Sequence, residues 1–210
     1  TMSEQPKIQV KRHSDRQVHD DVAINQLLDS EYVAHVGFID PDTQSPYVIP
    51  MGFARDNSRI LLHGSTGSRL MMLIAQGVEL CVSVTKLNAI VVARSAFNSS
   101  MNYESVMIFG KARILENDEK ELALERITSK LVPGLWEYAR PMKKKESAAT
   151  IIAELSLEKV SAKSRTGDPS DDEEDLGLGL WAGLIPIKTT QEPVVTASNA
   201  AGIPVPSHLS

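Results

Sequence analysis

The feature that most limits how this chain can fold is a series of short apolar runs that alternate in and out, separated by brief polar turns. Residues 32–40 read YVAHVGFID and residues 47–56 read YVIPMGFARD, with a Pro/Asp/Thr/Ser turn between them. Alternation on both sides of such a turn predicts a β-hairpin. Further strands are predicted over 60–63, 79–85, 90–93, 106–115 (VMIFGKARIL, with Gly110 as a bulge or kink), 150–157 and 181–189 (WAGLIPIKT). Helices are predicted over 20–29, 68–75 and from Asp118 through DEKELALERITSKLV, with a further helical patch over 143–151. Consecutive short strands joined by turns point to a mainly β fold with inserted helices, an antiparallel barrel or sandwich rather than a parallel sheet.

Composition narrows the function classes. The net charge of −5 gives no basic footprint for general nucleic-acid binding. The single cysteine, Cys81, excludes an internal disulfide and a cysteine-rich zinc site, and its place in an apolar run predicts an inert thiol. No metal site is expected, because the acidic block at 171–175 lacks a calcium-loop spacing. That block is expected to be exposed, on a long loop suited to a gate or a subunit contact. No apolar run approaches the roughly 20 residues needed to span a bilayer, and the polar first residues carry no signal-peptide core, so a cytoplasmic protein without membrane partners is expected. One domain over 12–190, with flexible segments at 1–11 and 191–210, is the expected organisation.

The stretch ILLHGSTGSRLMML, residues 60–73, carries the chemistry. An apolar strand enters a loop of small polar residues that opens onto an apolar helix. Free N–H groups at a helix start favour an anion, Ser65, Thr66 and Ser68 add hydroxyls, and Arg69 adds a planar cationic fork suited to phosphate. An ordinary serine N-cap explains the same residues without a ligand. Pro50, inside the second strand of the hairpin, argues against full pairing there and leaves room for another molecule at the backbone; an edge strand is the equal alternative.

The segments YVIPMGF, LLHGSTGSRL, VVARSAFNSSMNYESVMIFGKARIL and VSAKSRTGDPSDDEEDLGLGLWAGLIPI, in that order, resemble the pyridoxamine 5'-phosphate oxidase-like superfamily of FMN-binding split barrels. The likeness is strongest to the branch that includes nitroimidazole-resistance proteins, and it covers roughly residues 12–188. It implies a split antiparallel β-barrel, a homodimer, and FMN at the subunit interface. It also implies that His63, Gly64, Ser65, Ser68 and Arg69 hold the flavin phosphate, that Val48, Ile49, Pro50 and Met51 run beside the ring, and that Asn98, Ser100, Asn102 and Tyr103 contribute from a second loop. Trp181 is implied to pack on the flavin from the partner subunit. Lys163 and Arg165 are weak candidates to meet an anionic substrate, and His63 is the candidate catalytic residue. Turn chemistry, core packing or solvation accounts for the same side chains without a cofactor.

After Trp181 the chain lacks the Arg- and His-bearing end of true pyridoxamine phosphate oxidases, so that activity is not expected, whereas FMN binding is. A flavin-dependent oxidoreductase acting on a small organic molecule is the leading reading. A non-catalytic flavin carrier, a haem- or deazaflavin-binding barrel with His63 as a possible iron ligand, and a purely structural dimer are the alternatives.

Overall fold

The patterned hairpin forms, and its second strand organises the rest. In the computed structural model, which describes residues 8, 9 and 14–209, β1 (Val33–Ile39) pairs antiparallel with β2 (Pro46–Asp56) from Val33↔Gly52 to Ile39↔Pro46. Past Gly52, β2 changes neighbour. Phe53–Asp56 pair instead with β3 (Arg59–Ser65), from Phe53↔Leu62 to Asp56↔Arg59. Strands β4 (Glu79–Val92), β5 (Ser100–Lys111), β6 (Arg113–Leu115), β7 (Thr150–Ser156) and β8 (Val160–Arg165) complete the path β6-β7-β3-β2-β1-β4-β5-β8. The short β9 (Gly183–Pro186) pairs with the far end of β4. All pairings are antiparallel, as the alternation requires.

Inward residues of these strands, among them Val36, Phe53, Leu62, Val84 and Ile108, form the main core with α1 (Asp21–Ser30) and α2 (Arg69–Ala75). Asp20 caps α1, accepting from the Val22 N–H. A smaller cluster lies on the outer face of β3, β7 and β6, where Leu61, Ile152 and Leu115 meet Ala123, Leu124 and Ile127 of α3 (Asn117–Leu131). The buried residues of α3, Ala123, Leu124 and Ile127, fall on one stripe, and its acidic first turn and Lys130 in the last turn suit the helix dipole.

Several boundaries differ from expectation. The two strands expected at 79–85 and 90–93 are one strand, β4, with an irregularity between Leu87 and Ala89. The polar run that reads as a loop through residue 105 already pairs as β5 from Ser100, because register with β4 outweighs its composition. The single strand expected over 106–115 breaks near Gly110 (φ 146°), a backbone conformation open to glycine, so that β5 and β6 pair with different neighbours. Strand β8 and the short helix α4 (Leu135–Tyr138) were not legible, and α5 (Lys144–Ala148) is shorter than its pattern. The expected flexible segment over 1–11 falls outside the described residues apart from Ile8 and Gln9; the Ile8 N–H donates to the Val160 carbonyl (3.0 Å). In the tail, His208 lies against Tyr138 with ring centroids 5.5 Å apart. Among the described residues no helix is long and apolar enough to cross a membrane.

Candidate functional site

The change of partner along β2 opens a cleft in the sheet. Residues 46–52 of β2 are paired only with β1, and residues 63–65 of β3 are paired only with β7. The two strands part after Phe53↔Leu62, so one backbone edge of Val48–Met51 faces the edge of His63–Ser65 with no ladder between them. Unpaired strand edges present N–H and C=O groups to an incoming partner. Pro50 sits mid-strand opposite His35 and lacks a donor, which fits a strand paired on one side. Val48, 67% exposed, and Pro50 point outward with His35, while the Met51 side chain reaches toward Gly64 across the cleft.

His63 lies on the outer face of β3, opposite Ile152, which in turn pairs beside Leu115. The ring is half-buried, and its Nδ1 is sealed from solvent without a hydrogen-bond partner. Burial pushes its pKa down, so the imidazole is neutral at neutral pH. A buried, unpartnered ring nitrogen is costly and calls for an explanation. Gly64 faces the opposite way, and a Cβ there would stand 2.6 Å from Met71 Cγ. The glycine therefore lets β3 lie directly on α2.

The loop after β3 is built more as a turn than as an open anion cradle. The Thr66 N–H donates to the Ala149 carbonyl (3.0 Å), the Gly67 N–H to Ser65 Oγ (3.2 Å) and the Ser68 N–H to the Ser65 carbonyl (2.9 Å). Ser68 caps α2, accepting from the Met71 N–H. Arg69 is committed to the tip of the β1–β2 hairpin: Nε donates to Asp40 (2.6 Å), and the terminal nitrogen to Asp40 and Asp42 (2.8 Å each). Asp40 is almost wholly buried, and the Arg69 guanidinium holds its carboxyl down to about 2. The N-cap alternative thus describes Ser68, and Arg69 acts as a strut whose charge two carboxylates already answer.

The second set of predicted residues gathers at the start of β5. Asn102 is buried, donates to the Gly167 carbonyl (3.0 Å) and accepts from Arg165. Arg165 also reaches the Asp168 carbonyl, so its guanidinium is occupied within the chain. Asn98 donates to Asp172 (3.4 Å), Ser100 is exposed at the strand start, and Tyr103 pairs opposite Leu87 and Arg165. Lys163 lies in β8 opposite Ser105. Arg94 donates through its backbone N–H (2.6 Å) and its guanidinium (2.7 Å) to Asp171, whose side chain is 3% exposed. The acidic block is therefore not uniformly exposed: its first carboxylate is a buried anchor. Past it, Trp181 is 67% exposed and folds over Gly183.

Along β4 the two sets lie in sequence: Gly37 links Val48 to Cys81, Tyr103 pairs with Leu87 and Ser100 with Val91, so Tyr103 lies nearer the cleft and Ser100 farther away. Cys81 is half-buried and burial pushes its thiol pKa up, in keeping with an inert residue. Among the described residues no cluster of His, Cys, Asp and Glu is arranged to hold a metal ion.

A groove of about 1290 Å³ went unnoticed in the sequence. It runs between the β6–β7 edge and helices α3, α4 and α5, and Thr66 of the loop after β3 stands in its wall. Its parts come from segments that read only as helices or turns, so no local pattern marks it.

The split antiparallel sheet has known counterparts. The family model described as pyridoxamine 5'-phosphate oxidase matches residues 20–164. The chain belongs to the pyridoxamine 5'-phosphate oxidase family. It is similar to the FAD and heme binding protein of Mycobacterium smegmatis, with 35% identity over 92% of this chain and 95% of that one, and a TM-score of 0.88. It is similar to the flavocytochrome Anf3 of Azotobacter vinelandii, with 36% identity over 95% and 93% of the two chains and a TM-score of 0.87. A putative 5-nitroimidazole antibiotic resistance protein of Bacteroides thetaiotaomicron shares the fold at 20% identity over 70% and 85%, with a TM-score of 0.56. No curated protein matches the chain in sequence.

Proposed function

We propose that this chain is a flavin-binding redox protein that works as a homodimer, with the flavin ring seated at the cleft between β2 and β3. The observation that carries this is the backbone edge of Val48–Met51, left without a strand partner where β2 leaves β3. Such an edge supplies donors and acceptors at fixed spacing to the polar rim of a planar heterocycle. A bound flavin supplies hydride or single-electron transfer; the protein orients it and shapes what approaches it. His63, neutral and beside the cleft, can hold or move a proton at Nε2. The similarity to an FAD and heme binding protein and to a flavocytochrome supports the same reading.

Two features support the dimer. The outer faces of β1, β2, β4 and β5 leave Val33, Ile39, Val48, Leu87 and Met107 exposed, and Phe97 and Trp181 are exposed in loops. A second copy packed on this face would cover the open cleft. A small organic molecule is the substrate class, and the single half-buried cysteine suits a reducing, cytoplasmic setting.

Haem is the second reading, favoured by the two relatives, with His63 the candidate iron ligand. A neutral imidazole is the form that binds iron. The experiment is reconstitution of the purified chain with a flavin and with haemin, followed by desalting and an absorbance spectrum. Retention of about one flavin per chain is expected, and no retained flavin refutes the first reading. His63→Ala is expected to abolish a haem Soret band while sparing the flavin; a Soret band unchanged by the substitution removes His63 as the iron ligand. Turnover with a reduced nicotinamide then separates an enzyme from a carrier.

A further inference from the structure

We infer that the C-terminal arm, residues 187–209, is a latch that holds α4 in place as a wall of the groove beside α3, α4 and α5, so that release of the arm opens the groove. The arm leaves β9 and is tied down near its start. The Ile187 N–H donates to the Asn88 carbonyl (2.9 Å), and the Gln191 side-chain amide donates to Tyr32 Oη (3.4 Å). Beyond Gln191 its apolar side chains stand in solvent: Val195 is 93% exposed, and Val194, Ile203 and Val205 are exposed too. The arm thus adds little to the core. Its far end closes in a turn, where the Leu209 N–H donates to the Pro206 carbonyl (2.9 Å), and this turn presents His208 to α4. The imidazole lies 5.5 Å from the Tyr138 ring, centroid to centroid. It also covers Gly134, where a Cβ would stand 3.1 Å from His208 Cδ2.

The element under the latch is weakly anchored. None of the residues of α4 is buried, and Pro133 and Pro141 bracket the segment. Its backbone hydrogen bonds are local: the Leu135 N–H donates to the Val132 carbonyl (3.1 Å), Tyr138 to Gly134 (3.1 Å) and Ala139 to Leu135 (2.8 Å). Gly134 turns the chain into α4 at φ 79°, a left-handed conformation that glycine adopts without strain. On the inner side Trp136 packs against the smaller core cluster and lines the groove with Leu135, Glu137 and Ala139. On the outer side His208 rests on Gly134 and Tyr138. Two opposed contacts, Trp136 inward and His208 outward, thus fix the wall. An element with few buried apolar contacts and local hydrogen bonds opens at low free energy, and loss of one of two such contacts lowers that cost further. The arm follows the last strand, so it can leave without dismantling the sheet. The latch acts on the wall and is independent of what fills the groove.

The test uses the full chain carrying Trp181→Phe, which leaves Trp136 as the one tryptophan and so as a reporter of the wall. This chain is compared with the same chain ended at Lys188 and with its His208→Ala and His208→Phe variants, by acrylamide quenching of Trp136 and by deuterium uptake along the sequence. Truncation and His208→Ala are each expected to raise the quenching constant about twofold or more and to speed exchange over residues 132–142, with exchange in β4 unchanged. His208→Phe keeps a ring on Gly134 and Tyr138 and is expected to behave as the unaltered latch. Quenching and exchange that truncation leaves unchanged overturn the inference. Faster exchange in β4 as well gives the arm a general stabilising role and overturns it too. A truncation effect that His208→Ala does not reproduce removes His208 as the holding contact, and with it the latch.

Discussion

Gly64→Ala tests whether the close seat of β3 on α2 fixes the cleft. The new Cβ would stand 2.6 Å from Met71 Cγ and 3.1 Å from Sδ. Met71 is fully buried, and its Cγ lies near the backbone, so it cannot swing aside as a chain end could. Overpacking of this kind costs about 1–3 kcal/mol. The backbone of Gly64 is not in the left-handed region, so alanine also returns about 0.4–1 kcal/mol by restricting the unfolded chain. The net loss is about 1–2 kcal/mol, or roughly 2–8 °C in Tm for a chain of this size. Urea and thermal melts measure it. The decisive assay is a double-mutant cycle with Met71→Ala, which alone costs about 2–5 kcal/mol through the cavity it leaves. With Met71 truncated, the added methyl has space, and the cost of Gly64→Ala should vanish or reverse. An equal cost in both backgrounds, or none in the unaltered chain, refutes the contact argument. Flavin affinity should fall along with stability in Gly64→Ala, because His63 and Ser65 flank the displaced residue.

Three further predictions follow from buried charge. Asp171→Asn should destabilise by about 3 kcal/mol, at the low end for a broken buried pair because Arg94 keeps some exposure, and should make the 166–182 segment sensitive to protease; an unchanged cleavage rate would show that the anchor is dispensable. Asp40 titrates at about 2 folded against 3.8 ordinarily, so its contribution is full above about pH 4 and is lost as pH falls through about 2. Arg69→Ala should shrink that acid-side loss in pH-dependent melts while altering flavin affinity little; a large loss of flavin would return Arg69 to the phosphate. Burial brings Lys130 down from 10.5 to about 8, against the pull of Asp29 and Glu31, while its ammonium rests 4.0 Å over the Phe53 ring. Between those values the unfolded chain binds the extra proton, so stability should rise from about pH 8 to about pH 10.5. Lys130→Met should flatten that rise, and an identical slope in the variant would assign it elsewhere.

The hairpin, the helix α3 and the antiparallel class were legible because period-2 and period-3.6 patterns report burial directly. Strand β8 was not, because VSAKSR buries only small residues and its pairing with β5 is set at long range. The start of β5 failed for a related reason. Asn102 is polar yet buried, and only the carbonyl of Gly167 and the Arg165 guanidinium make that tolerable. His63 and the strand Val48–Met51 could be picked out from residue types, but not their placement on either side of the gap left where β2 changes partners between Gly52 and Phe53.

That change of partner also accounts for why Arg69 reads so well as a phosphate ligand and is placed otherwise. A guanidinium one residue past an N-cap has two electrostatic options, an incoming anion or a carboxylate carried on a neighbouring element. The sequence places Asp40 and Asp42 in a turn, where aspartate is ordinary. Only the β1–β2 register shows that this turn reaches the start of α2. With Arg69 spent in tying the hairpin to α2, the strand it steadies is the same β2 whose free edge forms one side of the cleft. The charge that reads as a phosphate partner is thus answered inside the chain, where it ties the β1–β2 turn to the start of α2.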